Sequence, residues 1–183
     1  MEGAATDEQG SSVRIRPARP RDGERLREIA IAAKSHRGYD LDRVRQWAAM
    51  GDFSADGLRE KEVYVAEAQG RAIASALIPK GELIWLDDLW VEPASIGRGV
   101  GSLLFRHVVE RALKLGGKQL EWEAEPNAVG FYEQLGGRYV RDSEPSVWGR
   151  VIPVMGVDLA DSLGCYSDGL HIKPLVDAEL LDA

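Results

Sequence analysis

The segment Trp90 to Phe105, WVEPASIGRGVGSLLF, carries three glycines at alternating positions, Gly97, Gly99 and Gly101. An extended apolar run, LDDLWV, precedes it and stops at Glu92-Pro93, and an amphipathic helical pattern follows at once. A strand, glycine loop and helix in that order aim unpaired backbone N–H groups and the positive end of a helix dipole at one point. Such a point suits a phosphate or pyrophosphate. The groups concerned belong to Gly97, Arg98, Gly99, Val100, Gly101 and Ser102. Two familiar loops are excluded. No Gly-Lys-Ser/Thr closes the segment, as a Walker A loop requires. The last position of a dinucleotide fingerprint falls on Ser102 or Leu104 and not on glycine.

A second chemistry lies just upstream. Asp87 and Asp88 interrupt the apolar strand, and adjacent strand residues point to opposite faces. One carboxylate therefore faces away from the other unless the strand bulges. A carboxylate partly removed from water has a raised pKa and accepts a proton from an ammonium group. Asp87 is preferred for this task because it shares a face with Trp85 and Leu89. The other aspartate then anchors a neighbouring loop.

Composition narrows the field. A chain of 183 residues suits one domain with tails. A net charge of −7 argues against a general nucleic-acid binder, which needs lysine and arginine to neutralise phosphates. No apolar run reaches the length of a membrane span. Cys165 is the only cysteine, so neither an internal disulfide nor a cysteine-held zinc is available. A cytoplasmic location is the natural inference, and no metal is called for.

The elements that position these residues follow from periodicity. Residues 1–12 are polar and read as a disordered leader. Val13 to Arg16 alternates as a strand. Asp22 caps a helix whose apolar face is Leu26, Ile29, Ala30 and Ala33, and Asp40 caps a second carrying Val44, Trp47 and Ala48. Glu62 to Ala68 and Arg71 to Ile78 form a hairpin around Gln69-Gly70. Glu82 to Val91 is the next strand. The helix after the glycine loop buries Val100, Leu103, Leu104, Val108, Ala112 and Leu115, and Gly116-Gly117 stops it. A strand over residues 118–124, a short helix capped by Asn127, and strands over 138–141 and 150–159 complete the order.

That order, β-α-α-β-β-β-α-β-α-β-β, resembles the GNAT N-acetyltransferase superfamily over roughly residues 13–159. Leu89, Val91, Pro93, Gly99 and Gly101 match its coenzyme A motif, while Ile96 replaces a glutamine or arginine. NAVGFYEQLGG matches a second motif at Asn127, Phe131, Tyr132, Leu135 and Gly136, with Gly137 in place of an aromatic. The resemblance implies an α/β fold: a mixed six- to seven-stranded central sheet, a splayed strand pair that binds coenzyme A, and about four helices. It implies acetyl transfer from acetyl-CoA to a small-molecule or peptide amine inside a ternary complex, without metal. Tyr132 would protonate the leaving thiolate. Backbone groups of Leu89, Trp90 and Val91 would hold the pantetheine arm, and Asn127 and Phe131 would also contact the cofactor. His36, Tyr39 and Glu125 are candidates for the acceptor side, each with a plain reading as a loop residue. The rival class is a non-catalytic coenzyme A-binding module on the same fold. Residues 160–183 read as an appendage that packs on the domain or on a second copy.

Overall fold

The computed structural model describes residues 5, 10–79, 84–146 and 149–159. The chain falls into two compact units: Met1–Glu82 with Leu86–Arg111, and Leu83–Trp85 with Ala112–Ala183.

The first unit holds β1 (Arg14–Pro17), α1 (Gly23–His36), α2 (Leu41–Met50), α3 (Ala55–Glu60), β2 (Lys61–Ala68), β3 (Arg71–Pro79), β4 (Asp88–Val91) and most of α4 (Val100–Lys114). The four strands pair antiparallel in the order β1-β2-β3-β4. Gln69 and Gly70 turn the β2–β3 hairpin with φ of 50° and 77°, the paired positive values of a type I′ turn. Leu26 and Ile29 of α1 are buried against Val63, Val65 and Ala72 of the sheet. Each such side chain contributes about 1.5–3 kcal/mol on leaving water.

The helix caps depart from expectation in part. Asp40 Oδ1 accepts from the Arg43 N–H at 3.0 Å and starts α2 as expected. Asp22 does not cap α1 through its side chain. Its carboxylate instead accepts from the Arg19 N–H at 2.6 Å and from the Arg16 guanidinium at 2.7 Å. A charged planar fork is the stronger partner. The Arg16 bond holds the Asp22 carboxyl below its usual range. The short helix α3 was not anticipated; Ser54 Oγ accepts from the Gly57 N–H at 3.1 Å and nucleates it. Leu115, expected in the core, lies beyond the end of α4 and is 44% exposed.

The second unit holds β5 (Gln119–Glu123), α5 (Val129–Gln134), β6 (Arg138–Asp142) and β7 (Pro153–Asp158), with antiparallel strand order β5-β7-β6. Leu120, Trp122, Val154, Met155, Val157 and Leu159 are each at most 2% exposed. A short 3-10 turn, Pro126–Ala128, leads into α5, and Asn127 makes no side-chain cap there. Gly137 has a packing reason. A Cβ there would lie 2.8 Å from the Trp122 ring, so the indole fills the space that the expected aromatic would need.

The expected strand from residue 82 to 91 is not continuous. Residues 80–83 lie outside the described set. Trp85 forms a single parallel bridge with Glu121 of β5, Leu86 and Asp87 join no ladder, and Asp88 opens β4. Strands β4 and β5 therefore belong to different sheets. The expectations for residues 160–183, including Cys165, and for Trp148 also fall outside the described residues.

Candidate functional site

In the first unit the site grows from β4. This strand is the last in its sheet, so one of its edges faces β3 and the other carries no strand of that sheet. The Glu92 N–H donates to the Ile73 carbonyl at 2.8 Å, and Val91 stands opposite Ala74. Antiparallel ladders alternate, so Asp88, Trp90 and Glu92 direct their backbone groups at β3. Leu89 and Val91 direct theirs at the open edge. Of the three residues expected to offer main-chain groups, Trp90 is thus engaged in the sheet, and Leu89 and Val91 face the edge that carries no strand of that sheet.

The glycine loop follows. Gly97 and Gly99 take φ of 78° and 76°, values that L side chains rarely adopt. Nothing lies within 4 Å of a Cβ built on Gly97, and only Ala5 approaches one on Gly99. Gly101 lies inside α4 and is absent from the positive-φ glycines. The Leu103 N–H donates to the Gly99 carbonyl at 2.9 Å and closes the first turn. By helix geometry the N–H groups of Val100, Gly101 and Ser102 then lack intrahelical acceptors. Val100 anchors this end of the helix, fully buried, whereas Arg98 is exposed and donates to the Ala94 carbonyl at 3.1 Å.

Asp88 and Trp90 share one face of β4, two residues apart. Asp88 is half-buried. Removal from water, reinforced by the neighbouring Asp87 charge, pushes it up to about 7. Lys34 of α1, the Trp90 indole and Lys61 of β2 oppose that rise. Asp87 itself is exposed. Lys34 is buried, its Nζ 4.3 Å from the Trp47 ring centroid, 5.4 Å from Trp90 and 5.5 Å from Tyr39. The fold thus gathers Asp88, Trp90 and Tyr39 with two residues that sequence reasoning did not place in a site, Lys34 and Trp47. A signal existed: Lys34 lies four residues after buried Ala30 on the apolar stripe of α1, where a charge is costly. His36, by contrast, is exposed at the end of α1.

In the second unit, Tyr132 of α5 is 7% exposed. Its ring centroid is 4.9 Å from that of Trp122 and 4.9 Å from that of Phe131, which meets it edge-on. The Tyr132 carbonyl accepts from the Leu135 and Gly137 N–H groups at 3.0 and 2.8 Å, so the end of α5 holds the ring in place. Asn127 is exposed beside the same helix. Glu125 pairs with Arg150 at 3.3 Å. No cluster of three metal-ligating side chains occurs among the described residues.

An edge strand, a positive-φ glycine loop and a long helix thus follow one another along the chain. Residues 24–137 match the model of the Acetyltransferase (GNAT) family. The chain is 31% identical over 157 residues to thialysine N-epsilon-acetyltransferase of Sus scrofa, covering 73% of this chain and 89% of that protein. It is 27% identical over 146 residues to peptidyl-lysine N-acetyltransferase YjaB of Salmonella typhimurium, covering 79% and 97%. Its fold superposes with a TM-score of 0.69 on PaiA N-acetyltransferase from Thermoplasma acidophilum, solved in complex with coenzyme A, at 20% identity over 80% of this chain and 99% of that one. The chain belongs to the GNAT acetyltransferase family and is an acyltransferase.

Proposed function

We propose that the chain moves an acetyl group from acetyl-CoA to a primary amine by direct attack within a ternary complex. The observation that carries this is the run from edge strand β4, with Asp88 at its start, through the positive-φ glycine loop into α4. A lysine-like amine arrives protonated, since its pKa is about 10.4. Asp88 takes that proton, directly or through water. The amine nitrogen then attacks the thioester carbon, and the carbon–sulfur bond breaks as the tetrahedral intermediate collapses. Tyr132 donates its phenolic proton to the departing thiolate, and the second proton, lost by the acylated nitrogen, passes through solvent and restores the phenol. The N–H groups of Leu89 and Val91 are candidates to steady the oxyanion and the pantetheine amides. The loop from Gly97 to Ser102 takes the pyrophosphate, with Asn127 and Phe131 assigned to the cofactor by their motif.

The names of the two relatives direct the acceptor search to side-chain amines of lysine, free or in peptides, and of its thialysine analogue. Asp88, rather than the exposed Asp87, is the base in this reading, because only an enclosed carboxyl becomes basic enough. The charge balance and composition fit a cytoplasmic enzyme without a nucleic-acid partner.

The test is release of free coenzyme A thiol from acetyl-CoA with a panel of such amines. Wild-type protein should turn over at least one of them. Tyr132→Phe should lose turnover by roughly 10²-fold or more with near-normal acetyl-CoA affinity, because a donor used only in the transition state is missing. Tight cofactor binding with no transfer to any amine would favour the non-catalytic module. Full turnover by Tyr132→Phe would leave that ring a packing role.

A further inference from the structure

The arrangement around Lys34 goes beyond the base and the cofactor loop. A lysine is almost never this buried without a partner. Here three rings from three places in the fold surround its ammonium: Trp47 from α2, Trp90 from β4 and Tyr39 from the α1–α2 link. Trp47 and Trp90 also meet edge to face at 5.5 Å, so the cage is braced independently of its cation. Aromatic faces hold an ammonium in place without cancelling its charge. Asp88 shares a β4 face with Trp90, one of the rings against the ammonium, and the Lys34 charge favours its carboxylate form.

We propose that Lys34 is a positioning residue for acetyl transfer, a ring-held counter-charge that steadies the Asp88 carboxylate. Its part in catalysis rests on Asp88 being the base. The charged groups that act on that carboxyl are Asp87 from its own strand, Lys34 from α1 and Lys61 from β2. Asp87 and burial favour the neutral acid, and the two lysines favour the carboxylate. Without Lys34 a larger share of the carboxyl would stay protonated at neutral pH and could not receive a proton from an amine. The cage thus sets the pH range in which the base works, and a single buried cation on α1 links the first helix pair to the chemistry of β4.

The experiment follows the Asp88 carboxyl carbon by NMR across pH in the full-length chain, alongside the pH profile of kcat/KM. In Lys34→Met the carboxyl midpoint should rise by about one pH unit, the scale of losing one nearby opposite charge. The acidic limb of kcat/KM should move with it, and KM for acetyl-CoA should stay within about twofold, since only the base is altered. Lys34→Arg should restore most of both. Trp47→Leu keeps the charge but opens the cage, and should produce a smaller shift in the same direction. It also serves if Lys34→Met does not fold. An unmoved carboxyl midpoint in a folded Lys34→Met overturns the proposal. A carboxyl that moves while the kinetic limb stays put overturns Asp88 as base and removes Lys34 from catalysis, leaving only the charge pairing.

Discussion

Asp87 and Asp88 differ by one position and by everything that matters to a proton. Asp87 is exposed, while burial lifts the Asp88 carboxyl to about 7. If Asp88 is the base, kcat/KM should rise with pH through a midpoint near 7, and Asp88→Asn should abolish that limb. Asp87→Asn should lower it, because one of the two causes holding the midpoint up is removed. A stability consequence has a definite sign. Below about pH 3 the carboxyl is protonated in the folded and the unfolded chain alike. As pH rises, the unfolded chain ionises first, so stability falls until the folded group ionises near 7. Asp88→Asn should therefore melt at least about 2 °C higher than wild type at pH 8, roughly 1 kcal/mol for a chain of this size, and equal it at about pH 3. Equal melting temperatures at both pH values would mean that Asp88 carries no such burden.

At the scale of elements, the glycine loop and the edge of β4 are linked parts. Gly97→Ala adds no clash, since the space around its Cβ is open. It adds only the cost of a positive φ, about 1–2 kcal/mol. Gly99→Val adds a β-branched side chain at the same kind of φ. Calorimetric titration with coenzyme A should show weaker binding for both, with Gly99→Val the worse, and unchanged affinity in folded variants would move the pyrophosphate elsewhere. The β1–β2 pair supplies a stability test remote from chemistry. Glu67 is buried and accepts from Arg14 and from Arg16, which also grips Asp22. The Arg14 and Arg16 bonds hold the Glu67 carboxyl below its usual range. Its stabilisation is present above its unfolded pKa and is lost as pH falls through the lower folded one. Because Arg14 is exposed and Arg16 keeps Asp22, removing Glu67 costs about 1.5–3 kcal/mol, the scale of charged hydrogen bonds. Glu67→Ala should show a loss of that order in urea unfolding at pH 7, and a smaller loss in acid.

For the whole chain, ligand binding and folding are coupled. If the loop and the open edge hold coenzyme A, a hundredfold excess over Kd should stabilise the protein by about 2.7 kcal/mol. The melting temperature should rise with coenzyme A and not with ATP, the result that would separate this site from a general nucleotide pocket. Residues 160–183 contain seven leucine, isoleucine and valine residues: Leu163, Leu170, Ile172, Leu175, Val176, Leu180 and Leu181. We expect a chain ending at Asp161 to melt lower or to dimerise less while keeping some activity. An unchanged melting temperature and an unchanged mass by light scattering would make the segment idle.

Local rules were enough for much of this protein. The β2–β3 turn was legible because Gln69-Gly70 allows two positive φ values, and α1 because Leu26, Ile29, Ala30 and Ala33 recur at helical spacing. The glycine loop and its helix were legible because glycines mark backbone that other residues cannot adopt. Two separate motifs, around Gly99 and around Tyr132, were enough to indicate the family. Tertiary structure decided what depends on distant neighbours. Only the phase of the β3–β4 ladder separates Leu89 and Val91 from Trp90, and only the enclosure of β4 separates Asp88 from Asp87. Asp22 went to Arg16 because a guanidinium from another element outbids the helix end. Lys34, Trp47 and Trp90 stand up to 56 positions apart, so no window of sequence could show them as one cage. Periodicity and glycine report the backbone of each segment, whereas desolvation and charge report what the fold carries to its side.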